Sequence, residues 1–185
     1  MTGTWKTLTQ RRKTLAERAF GALSTLDEIT AAERARATGG RQVGFADIYA
    51  YVNEPGRPMN ARLSEALEAD AGLRDDLLRL LTKTAGYRCP RSAAAGTKVL
   101  ESRHGQGFTI RLRPSRAEPS QVYVVIELLD PGAETPKALF IAEHREGLLK
   151  HALPEPRGGM VQLLAETESD LIRALRNPGS EVFLR

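Results

Sequence analysis

Glu143-His144-Arg145-Glu146, followed by His151, is the densest group of titratable and metal-ligating side chains in the sequence. His144 and His151 are seven residues apart, with a turn expected at Glu146-Gly147, so a hairpin would bring them together and His104 could join them. A zinc-type site needs three or four convergent ligands and an ordered outer shell. The pattern fits exposed polar groups of a turn better, so no metal and no cofactor is expected. Cys89 stands beside Pro90 and is the single cysteine of the chain. It cannot form an internal disulfide, and a nucleophilic role would require a histidine or a basic pocket beside it. A neutral free thiol is the expectation. Gly105-x-Gly107 lacks the third glycine of a dinucleotide site and precedes a strand pattern, so it reads as a turn. The phosphate-loop, H-E-x-x-H, G-x-S-x-G and calcium-loop patterns do not occur. No catalytic residues are assigned, and the chain is read as a non-enzyme.

Charge offers a second kind of chemistry. The chain has 185 residues with 27 Lys+Arg and 23 Asp+Glu, a formal net charge of +4. Residues 1–100 hold 16 basic and 11 acidic side chains, and residues 101–185 hold 11 and 12. The excess is densest at Arg11-Arg12-Lys13, and Arg18 shares that stretch. Phosphate contacts need Lys and Arg on one face, which makes Arg11, Arg12, Lys13 and Arg18 the candidate nucleic-acid contacts. Aromatic stacking platforms are scarce: Phe108, Tyr123, Phe140 and Phe183 of the second half fall at buried parities of their strands.

These residues must be positioned by two different kinds of element. Residues 1–88 read as a helical module, 89–97 as a linker rich in small residues, and 98–185 as an antiparallel β-sandwich, an α+β chain in separate parts. In the first helix, expected from about Gly3 to Ala37, Trp5, Leu8, Arg12, Leu15, Ala19, Ala22, Leu26 and Ile29 recur by threes and fours. That is a short seam of the kind that packs in a bundle or against a partner. A second helix is expected over Phe45 to Asn53, stopped by Asn53-Glu54-Pro55-Gly56. Asn60 should cap a third, Asp70-Ala71-Gly72 should break it, and a leucine-rich fourth should run to about Gly86. From Phe108 the period becomes two, with Phe108, Ile110 and Leu112 alternating with Thr109, Arg111 and Arg113. Val122 to Leu129 reads as a central strand. Ala138 to Ala142, Leu148 to Leu153, Met160 to Leu164 and Glu181 to Leu184 read as further strands, with a helical turn over Glu168 to Arg176.

The run Ala50-Tyr51-Val52-Asn53, continued by Leu63-x-x-x-Leu67-x-Ala69-Asp70-x-x-Leu73-Arg74, resembles the cytoplasmic helical module of bacterial anti-sigma factors. The likeness covers residues 45–81. Asn53, Glu54 and Ala71 stand where that family has Asp, Gly and Pro, and the His and two Cys of its zinc-binding form are missing. The resemblance implies a metal-free regulator that binds a protein partner, a transcription factor in that family, through helices. The candidate partner-binding residues are therefore Trp5, Leu8 and Leu15 of the seam, with Tyr49, Val52, Leu63 and Leu67. The alternative for the last four is that they are core. The longest apolar run, Val122 to Leu129, is far short of the roughly 20 residues a spanning helix needs. With no secretory pattern at the start, the expected location is the cytoplasm, away from membranes. The function expected is a non-enzymatic regulatory or adaptor protein acting through its N-terminal helices, with self-association through the first helix open. The competing class is a nucleic-acid-associated protein using the basic N-terminal stretch.

Overall fold

A computed structural model describes residues 43–91, 99–129, 135–143 and 147–185. Within these the chain forms four helices and eight strands, the strands arranged in two antiparallel sheets. It divides into two compact units. One holds the described residues through Asn53 together with Asn60–Thr84; the other holds Glu54–Met59 and Ala85–Arg185. The seam from Trp5 to Ile29 and the basic stretch lie outside the described residues, as do His144 and most of the 89–97 linker.

In the first unit, helices α1 (Phe45–Asn53), α2 (Ala61–Ala69) and α3 (Ala71–Thr84) start where the sequence offers a hydrogen-bond acceptor to their free N–H groups. Asp47 Oδ2 accepts from Gly44 N at 3.1 Å. Asn60 Oδ1 accepts from Leu63 N at 2.8 Å. Asp70 Oδ1 accepts from Gly72 N at 2.8 Å and Leu73 N at 3.2 Å. Asp70 is thus both the end of α2 and the cap of α3, which is why two helices meet there without a loop. Arg74 ties the joint from the other side, donating to the carbonyls of Leu67 and Glu68 at the C-terminal end of α2. Phe45, Ile48, Tyr51, Val52, Leu63, Leu67, Leu73, Leu77, Leu80 and Leu81 are buried. Their spacing by three, four and seven puts one apolar stripe on each helix.

The second unit begins with a strand. Tyr87–Cys89 (β1) pairs antiparallel with Glu181–Leu184 (β8). The sequence expectation placed Tyr87 and Arg88 in the helical module and Cys89 in the linker; α3 in fact stops at Thr84. Three residues are too few to show a period, and β1 exists only through its distant partner. The remaining strands are β2 (Ser102–Gly105), β3 (Phe108–Pro114), β4 (Gln121–Leu128), β5 (Ala138–Glu143), β6 (Gly147–Ala152) and β7 (Met160–Glu166). One sheet has the order β1-β8-β5-β6 and the other β2-β3-β4-β7. The β2–β3 hairpin turns at Gln106-Gly107, where Gly107 has φ +81°. A side chain at Gly105 would collide with the Phe108 ring, its Cβ 2.0 Å from Cε1. The glycines of the sequence motif serve this turn.

Both sheets and helix α4 (Asp170–Arg176) contribute to one apolar core. Ile110 pairs with Ile126 and Ile126 with Val161, while Leu112 pairs with Val124 and Val124 with Leu163. Leu139, Ile141, Val182 and Leu184 supply the inward face of the other sheet, and Leu171, Ile172 and Leu175 of α4 join them. No described helix is long and apolar enough to cross a membrane.

Candidate functional site

The period of two places one charged residue on the wrong face. Arg103 pairs with Ile110 in the β2–β3 ladder, so it points inward with the apolar residues, and it is 5 % exposed. A guanidinium carries five N–H groups and cannot be left without acceptors in such a place. The end of α4 provides them. Arg103 Nε donates to Leu175 O at 2.6 Å, Nη1 to Ser180 O at 3.0 Å, and Nη2 to Ser180 Oγ at 2.8 Å and to Asn177 O. These are carbonyls at or just past the C-terminus of a helix, where the backbone concentrates negative partial charge. Ser180, fully buried, also donates its hydroxyl proton to Ala174 O or Asn177 O. Asn177 Nδ2 reaches Glu143 Oε1 at 2.9 Å, which connects α4 to β5.

Cys89 lies beside this node, 6 % exposed. Its single S–H donates to His104 O at 3.5 Å or to Pro90 O at 3.7 Å. Burial pushes the thiol pKa up; the charge and hydrogen bonding of Arg103 work against that, and Glu181 adds to it. The net direction is upward, so Cys89 is held as a neutral thiol, the opposite of an activated nucleophile. The His104 carbonyl reaches it while the side chain of His104 is exposed. Burial likewise lowers the Arg103 pKa, opposed by Cys89 and then Glu143.

A second polar arrangement crosses the β1-β8-β5-β6 sheet on its other face. Arg88 pairs with Phe183, Phe183 with Phe140, and Phe140 with Lys150. The row therefore reads cation, ring, ring, cation. Arg88 lies 5.8 Å from the Phe183 centroid and Lys150 5.4 Å from that of Phe140, both within cation–π reach. Arg88 also forms an ion pair with Glu181, which is 7 % exposed. Lys150 Nζ donates to the carbonyls of Glu54 (2.5 Å) and Arg57 (3.2 Å), and so holds the Glu54–Met59 segment. Every one of these groups is used to hold chain to chain.

The residues proposed from sequence are distributed unevenly. Trp5, Leu8, Leu15, Arg11, Arg12, Lys13 and Arg18 lie outside the described residues. Val52, Leu63 and Leu67 are buried at 1, 3 and 6 % exposure, whereas Tyr49 keeps 41 % and stacks at a tilt on Phe45, with centroids 5.8 Å apart. His104 and His151 stand on strands of different sheets, each exposed, and among the described residues no three His, Cys, Asp or Glu side chains converge.

One surface was missed. On the outward face of β7, Met160 and Leu164 are 42 and 51 % exposed, beside Gln162. The signal was present in the adjacent Leu163-Leu164, since on a strand one of two neighbouring leucines must face away from the core. No protein-family model matches this chain, and no curated protein or solved structure matches it either.

Proposed function

We propose that this chain is a non-enzymatic regulatory or adaptor protein that binds a protein partner through its N-terminal helices. The observation that carries the reading is the recurrence of Trp5, Leu8, Arg12, Leu15, Ala19, Ala22, Leu26 and Ile29 by threes and fours. The exposed Tyr49 ring extends it, with Val52, Leu63 and Leu67 supporting the helices from within. The likeness of residues 45–81 to anti-sigma modules supports a transcription factor as the partner and a bacterial, cytoplasmic setting. In this reading the helices form a small bundle and the two sheets a β-sandwich that serves as scaffold. The described polar clusters support it as well: Arg103, Cys89, Ser180 and Glu181 are engaged with the protein itself.

The test compares the tagged full chain with its Leu8→Glu/Leu15→Glu variant, purified from the native host. A stoichiometric partner that co-purifies with the first and not with the second is the expected result. A monomeric, partner-free wild type overturns the reading. The basic stretch at Arg11-Arg12-Lys13 with Arg18 favours nucleic acid as the second reading. That reading requires DNA or RNA binding at low salt that falls steeply as salt rises and disappears in the Arg11→Ala/Arg12→Ala/Lys13→Ala variant.

A further inference from the structure

We draw no further inference here: the strongest candidate, the exposed apolar patch of Met160 and Leu164 on the outward face of strand β7, carries nothing because nothing in the structure shows what covers it.

Discussion

Arg103 shows how much one side chain can decide. It sits where strand alternation demands an apolar residue, and its Nε, Nη1 and Nη2 donate to the C-terminal end of α4 and the turn that follows it. Removing it takes the side-chain donor from Leu175 O and Ser180 O in a buried place, while Asn177 O keeps the Ser180 N–H. Arg103→Ala should cost about 3–5 kcal/mol, the range for breaking a buried charged network, read as a drop in chemical-denaturation midpoint. Arg103→Lys should recover only part of it, because one ammonium cannot reach acceptors that a planar fork reaches together. Cys89 follows from the same burial. Because its folded pKa is raised above the unfolded value, the neutral thiol is favoured in the native state. Stability from this source is present below the unfolded thiol pKa and is lost as pH rises through the folded value. Native protein should therefore react slowly with a thiol reagent at pH 8 and rapidly once denatured. Equal rates in both states would contradict the buried, neutral thiol. The sequence disclosed that Cys89 was lone but placed it in a linker, because the burial comes from β8, some ninety residues further on.

At the scale of elements, caps and turns were the most legible feature. Asn60, Asp70, Gly105 and Gly107 act where their residue types suggest, since each solves a local problem of unpaired N–H groups or of backbone conformation. Asn60→Ala should destabilise the helical unit by about 1 kcal/mol, and Asn60→Ser by much less, measured by thermal unfolding. Strands β3 and β4 were legible for a related reason: alternation or a β-branched run is a property of the segment itself. The three-residue β1 was not legible, nor were the pairing orders β1-β8-β5-β6 and β2-β3-β4-β7. Register between strands far apart in sequence is set by which faces must meet, and composition does not carry that information. For the same reason, Val52, Leu63 and Leu67 could be read either as a partner face or as core; only the packing assigns them to burial.

At the scale of the whole molecule, the chain is not cut at one point into two successive parts. Glu54–Met59 departs from the helices on either side of it and belongs with the sheets. The sequence shows a stop at Asn53-Glu54-Pro55-Gly56, but not where the stopped segment goes, since its anchor is Lys150. The Lys150 amine donates to two carbonyl acceptors. Burial lowers its pKa first of all, Glu54 opposes this, and Arg57 adds to it. A lysine whose folded pKa is depressed loses its proton earlier as pH rises; the held state then binds fewer protons than the released one, so rising pH favours the held segment over that range. Hydrogen exchange across residues 54–59 should rise over that range by no more than its intrinsic base catalysis. Lys150→Gln should show the faster exchange already at pH 7, with β5 and β8 still protected. The expected loss of stability is about 1 kcal/mol, the scale of a net intramolecular hydrogen bond. Unchanged exchange at 54–59 in Lys150→Gln would mean that Lys150 does not hold the segment, and the packing of Pro55 and Pro58 would have to account for its place beside the sheets.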